Sequence, residues 1–262
     1  MRKRKIALVF VFALVVLALS GYWWNQHRHV SLRDAINPCY WVRRWRAEDL
    51  YDPGTRPLHH GNRSLKEVAL TIDDGPHDKT TPALLDVLRG DHVRATFFVI
   101  GENVKKNPRL ARRMVAEGHD VGNHTQSHLP LDTLTPRQMR NEISDCDINF
   151  NRVTGRHLAL LRPPGMRYNK KVLRVARELG YIVVSDTWGA KDYARVTPDF
   201  IVRGTRRWVE NGSILLFHDD YPATVAALPR IISDLKNDGY RFVTISEMLA
   251  HLPTPVAVAE QK

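Results

Sequence analysis

The chain has 262 residues, 43% of them apolar, and carries 39 Lys and Arg against 28 Asp and Glu, a formal charge of +11. That supply of apolar side chains suits one larger domain with a core of its own and excludes a wholly disordered chain. Arg2, Lys3, Arg4 and Lys5 hold four of the charges, and the +7 left over is scattered along segments that also carry Glu and Asp. With no zinc-finger spacing, aromatic RNA-binding signature or continuous basic region, no nucleic-acid partner is expected.

The first predicted element occupies residues 1–24. After "MRKRK", Ile6–Trp24 is 19 residues without a charge, which as a helix just spans a bilayer core of roughly 30 Å. The basic cluster should stay in the cytoplasm and send the rest of the chain outside. Two readings stand: an uncleaved membrane anchor, favoured by Trp23 and Trp24 at an interface, or a signal peptide cleaved near Ala18 and Ser20. Export is expected under both, as a membrane-anchored protein or as a secreted or periplasmic one. Residues 25–64 read as a connector, with Tyr40, Trp41 and Trp45 expected to pack against the domain, and residues 253–262 as a tail. The two cysteines, Cys39 and Cys146, could pair in an exported protein; Cys146 is equally readable as a buried free thiol within a helix.

Residues 65–252 show short apolar runs alternating with amphipathic stretches. The runs are 68–72, 95–100, 120–123, 158–161, 181–185, 213–217 and 241–245. Helices are predicted between them by Pro near the start and Gly after the end, as in "NPRLARRMVAEG" and "TPRQMRNEISDCDINFNRVTG". This alternation predicts an α/β fold, a distorted (β/α) barrel of about seven parallel strands. No glycine-rich phosphate loop follows the first strand.

In such barrels chemistry gathers where strands end. After the first run come Asp73 and Asp74; after the third, "NHTQSH" with His124 and His128; after the fourth, Arg162; after the fifth, Asp186 and Asp192; after the sixth, His218. His124 and His128 are four apart, so in a helical turn their rings share a face. With one carboxylate they would make a three-ligand set for zinc or a similar divalent ion, leaving positions open for water and substrate. A capping or turn role before Gly-Pro explains one of the paired aspartates and not both. One can bind a metal while the other accepts a proton.

Over roughly Val68 to Leu249 this ordered set resembles the polysaccharide deacetylase family, which contains chitin, peptidoglycan and nodulation-factor deacetylases. "TIDDGP" is similar to the family's T-F-D-D-G-P, "HTQSH" to H-[ST]-x-x-H, "RPP" to its third motif and "LLFHD" to its fifth. The resemblance implies Asp74, His124 and His128 as ligands of a divalent metal, zinc before cobalt, nickel or manganese. It implies Asp73 as general base, Arg162 as the partner of that base and His218 as general acid. Three departures stand out: Ile72 replaces Phe, Gly165 stands where many members carry an aromatic, and "DTWGAKDY" replaces D-x-x-D-W. Asp192-Tyr193 is the better match to the final Asp-Trp, which implies that Asp192 tunes His218; Asp186 is the weaker candidate. Gly165 is expected to offer a backbone N–H to an oxyanion and Tyr193 to meet substrate. The implied activity is removal of N-acetyl groups from a peptidoglycan- or chitin-like polysaccharide, with release of acetate. The alternatives are an O-acetyl esterase, another C–N hydrolase, or a decayed glycan-binding membrane protein. No obligate protein partner is implied. His59, His60 and His119 are expected to be structural, His77 to stand behind the ligands, Asp219 to orient neighbours and Asp220 to be solvated.

Overall fold

The computed structural model describes residues 55–194 and 196–252. All seven apolar runs become strands of one sheet: β1 (Glu67–Asp73), β2 (Thr96–Val99), β3 (Asp120–Asn123), β4 (Leu160–Leu161), β5 (Ile182–Val183), β7 (Ser213–His218) and β8 (Arg241–Val243). An eighth strand, β6 (Trp188–Gly189), lies where the sequence shows no apolar run. The order is β5-β4-β3-β2-β1-β7-β6, with β8 also paired to β1, and every pairing is parallel.

Strand β1 is the keel of this curled sheet. One edge pairs with β7 from Val68↔Ser213 to Asp73↔His218. The other edge is divided, with β8 beside Glu67–Ala69 and β2 beside Thr71–Asp73. All seven of its residues are buried, as expected of a parallel strand covered on both faces. The period of two separates those faces. Val68, Leu70 and Ile72 pack in a core with Leu84, Leu85, Leu88, Leu228 and Ile232. Ala69 packs instead with Phe98, Leu160, Val184 and Ile214, so Thr71 and Asp73 follow it onto the inner face.

The helices are α1 (Thr81–Gly90), α2 (Gly101–Lys106), α3 (Pro108–Ala116), α4 (Pro136–Thr154), α5 (Lys170–Glu178), α6 (Pro198–Trp208), α7 (Pro222–Asn237) and α8 (Ile245–Ala250). Helix α4 shows both predicted signals, Pro136 in its first turn and Gly155 at φ +72° after its end, and adds a Thr135–Gln138 capping box that the sequence reading did not include. Ile245, read from sequence as the end of the last strand, begins α8 instead, because Thr244 and Glu247 form a second capping box.

The connector enters the domain earlier than residue 65. Leu58 donates its N–H to Val183 O at 2.8 Å and accepts from the Ser185 N–H at 2.8 Å; Gly61 then donates to Gly212 O at 2.8 Å. This segment therefore lines the wall between β5 and the start of β7. Leu58 is 1% exposed within the inner core. The predicted anchor, the aromatic connector residues, Cys39 and the tail lie outside the described residues. Among those described, no helix is long and apolar enough to cross a membrane. Cys146 is a free, buried thiol, and burial pushes it well above its ordinary pKa.

Candidate active site

The site gathers at the carboxyl ends of the strands. Asp73 is the last residue of β1, and its register partner across the sheet is His218, the last of β7. Parallel pairing thus makes neighbours of residues far apart in sequence. Asp74 leaves the strand in the left-handed region at φ +74°, which Asp tolerates better than bulkier residues. Both carboxylates consequently turn toward one imidazole: His124 Nε2 is 3.4 Å from Asp74 Oδ1 and 3.8 Å from Asp73 Oδ2. Strand alternation alone would have separated them.

His124 follows β3 directly and is buried. Its Nδ1 lies 2.7 Å from the carbonyl oxygen of Arg162; a carbonyl only accepts, so Nδ1 carries a proton, and a neutral ring then presents its lone pair at Nε2. His128 Nε2 lies 3.2 Å from the same Asp74 Oδ1. The two histidines are not in a helix, as the spacing suggested. They lie in a loop in which Thr125 and His128 have φ of +69° and +59°, and this turn brings the ring centroids to 5.0 Å.

Asp74 Oδ1 is buried and has no hydrogen-bond partner, although two imidazole nitrogens face it. A bare lone pair on His124 Nε2 opposite a carboxylate oxygen is repulsive, so either a ring proton or a metal cation must lie between them. Two ligands bound tetrahedrally at about 2.0–2.1 Å stand roughly 3.4 Å apart, close to the two separations observed. One ligand atom from each of Asp74, His124 and His128 falls within 4.8 Å of the others. The residues present fit a divalent cation. Burial alone would raise the Asp74 pKa, but the two imidazoles beside it hold it far below the usual carboxylate range. Contact with Asp74 raises that of His128.

Arg162, after β4, is wholly buried. Its Nη1 donates to Asp73 Oδ1 at 2.8 Å and to Thr71 Oγ1 at 2.7 Å, while Nη2 donates to Ser185 O at 3.0 Å. The guanidinium lies 4.1 Å over the Phe98 ring. Such a buried pair is held by geometry: removing either member strands a charge. Asp192 binds His218 twice, through Nδ1 and through the backbone N–H, both at 2.7 Å, and accepts from Thr224 Oγ1 at 2.7 Å. Burial disfavours the charged ring, but the Asp192 hydrogen bond and the nearby Asp73, Asp192 and Asp74 charges outweigh it, and the His218 pKa is raised to about 9.

Of the two candidates near β6, Asp192 rather than Asp186 contacts His218. Tyr193 stands at the rim, 57% exposed, its ring perpendicular to His218 at 5.7 Å. Gly165 is exposed in the turn Pro164–Met166 with φ +61°, which accounts for glycine where an aromatic was looked for. Asp219 accepts from Thr80 and Thr81 hydroxyls at 3.1 and 2.6 Å, and burial pushes its pKa up to about 6. Sequence reasoning missed Thr71 and Thr224, Asn103, whose Nδ2 donates to the Asp74 carbonyl at 2.7 Å, and Glu142, whose carboxylate accepts from Ser127 in the loop before His128. Only Thr71 carried a signal, standing two residues before Asp73 on the same strand face.

The sequence pattern of the family described as polysaccharide deacetylase matches residues 60–184. A Bacillus cereus protein named peptidoglycan-N-acetylglucosamine deacetylase is 40% identical over 191 residues, 71% of this chain and 89% of the relative. A chitooligosaccharide deacetylase of Bradyrhizobium sp. is 34% identical over 198 residues, 70% of this chain and 90% of the relative. The crystal structure of BA3943 from Bacillus anthracis, described as a family 4 carbohydrate-esterase pseudoenzyme, superposes with a TM-score of 0.72 at 29% identity, covering 76% of this chain and 70% of that one. A curled parallel sheet, paired aspartates at its central strand end and relatives matched over most of their length converge: the chain belongs to the polysaccharide deacetylase family.

Proposed function

We propose that the protein is a divalent-cation-dependent hydrolase that removes N-acetyl groups from an acetylated polysaccharide outside the cytoplasm, peptidoglycan before chitin-like glycans. The observation that carries this reading is the buried, unpartnered Asp74 Oδ1 faced by His124 and His128. Asp74, His124 and His128 would hold the cation, zinc by their nitrogen and oxygen donors before cobalt, nickel or manganese, and it would supply Lewis acidity for the water and the acetyl group. Asp73, its other oxygen fixed by Arg162, accepts the proton of the attacking water. His218, held charged by Asp192, donates a proton to the nitrogen as the C–N bond breaks, leaving acetate and a free amino sugar. Tyr193 at the rim and the Gly165 N–H are assigned to sugar contact and to the oxyanion. The substrate assignment rests on relatives matched over about nine-tenths of their own length. Export, with residues 1–24 as anchor or leader, 25–64 as connector and 65–252 as catalytic domain, rests on the uncharged run Ile6–Trp24.

The test is acetate and free-amine release by the full-length protein in detergent, offered purified peptidoglycan, chitooligosaccharides and an O-acetylated xylan. Amine together with acetate from a glycan, abolished by chelation and restored by Zn2+, is the expected result. Acetate without amine selects the O-esterase reading. A cation-loaded protein that releases no acetate from any of them would end the hydrolytic reading in favour of glycan binding.

A further inference from the structure

The structure assigns to Glu142 of α4, which is neither a ligand nor a proton-transfer group, the task of presetting His128 for the cation. This inference rests on the metal-site reading above. His124 needs little help, since β3 and the Arg162 carbonyl fix its backbone and ring. His128 is different: its side chain is 44% exposed, and its backbone sits in the left-handed region beyond a second left-handed residue, Thr125. Such geometry persists only where surrounding groups over-determine it.

Glu142 provides that over-determination at the residue immediately before His128. Its Oε2 accepts the Ser127 N–H at 2.9 Å, and its Oε1 accepts the Ser127 hydroxyl at 2.7 Å. Its main-chain carbonyl accepts the Gln126 N–H at 2.9 Å. The rest of the loop is held by other elements: Thr125 O and Gln126 O accept from Gly101 and Glu102 at 3.0 Å each, and the Thr125 N–H donates to Asn123 Oδ1 at 2.8 Å. Glu142 is the side chain that reaches the His128 end. Since outer partners of ligands commonly matter about 10–100-fold in metal affinity, Glu142 is a positioning residue acting through Ser127 on one ligand only.

The experiment measures Zn2+ dissociation constants of the metal-free full-length protein by competition with a chromophoric chelator. Thermal unfolding without metal is recorded alongside. Glu142→Ala should weaken Zn2+ binding about 10–100-fold at temperatures where the metal-free protein remains folded. Glu142→Gln should restore affinity to within about threefold of the unaltered protein, because its oxygen can still accept the N–H while the Ser127 hydroxyl reverses to accept from the amide. Ser127→Ala, which keeps the backbone contact, should fall between them and serves if Glu142→Ala does not fold. Unchanged Zn2+ affinity in Glu142→Ala, or in Ser127→Ala if it stands in, overturns the inference, whatever happens to the melting temperature. Gln binding as poorly as Ala also overturns it, because charge rather than positioning would then be responsible. If the unaltered protein itself binds no Zn2+, the metal-site reading fails instead.

Discussion

The two adjacent aspartates have different partners and should fail differently. Asp73 is tied to Arg162 and Thr71 lies beside it, whereas Asp74 faces two imidazoles. Asp73→Asn should therefore keep Zn2+ affinity and lose about 10²–10⁴-fold in kcat, while Asp74→Ala should lose Zn2+ itself; equilibrium metal binding beside steady-state kinetics separates them. At His218 the expectation concerns pH. Against the effect of burial, Asp192 and the neighbouring carboxylates raise its pKa, and the proposed general acid must be protonated, so activity should persist above the ordinary imidazole value near 6.5 and fall on the alkaline side of it. Asp192→Asn removes the charge that holds the proton and should move the alkaline limb of kcat at least about one unit lower. The stability consequence has the same sign. A raised imidazole pKa stabilises the fold fully below the ordinary value near 6.5 and loses that contribution as pH climbs through about 9. Melting temperatures of the metal-free protein across that interval check it.

At the scale of elements, the loop after β1 is a clamped turn. Its three carbonyls, on Asp74, Gly75 and Pro76, accept from Asn103 Nδ2 at 2.7 Å, the Ile100 N–H at 2.9 Å and Asn107 Nδ2 at 2.9 Å. Helix α2 and the residues that flank it at either end thus grip the turn that carries the aspartates. Asp219 approaches from the other side: a Cβ on Gly75 would collide with its carboxylate, which two threonine hydroxyls already hold. Gly75→Ala should cost about 1–3 kcal/mol through overpacking and weaken Zn2+ binding together with stability, which denaturant unfolding and metal titration can record on one sample. Here the glycine is required by close approach, a demand that "DDGP" does not announce.

The whole molecule depends on a segment that sequence assigned to the connector. Leu58 completes the wall beside β5 and is buried among Val184, Ile214 and Met248. Leu58→Ala should destabilise the domain by about 2–5 kcal/mol, whereas a true linker residue would tolerate the change within about 0.5 kcal/mol; a urea midpoint distinguishes the two. The proposed export predicts that the full chain sediments with membranes and resists carbonate extraction if residues 1–24 stay uncleaved. The strand runs, the Pro and Gly bounds of α4 and the residue types at each strand end were legible because each is written in neighbouring residues, as periodicity, helix bounds or turn chemistry. The two-residue β6, the Leu58 bridge and the loop geometry around His128 were not, because partners elsewhere decide them. Asn103 reaches Asp74 across 29 residues, Asp192 meets His218 across 26, and Arg162 meets Asp73 across 89. Sequence alone determined which chemical groups stand at the rim and that a parallel sheet supports them. Tertiary structure decided which carboxylate faces the imidazoles, which aspartate holds His218, and that Asp73 and His218 are sheet neighbours, since register and left-handed turns arise from hydrogen bonds that no local pattern encodes.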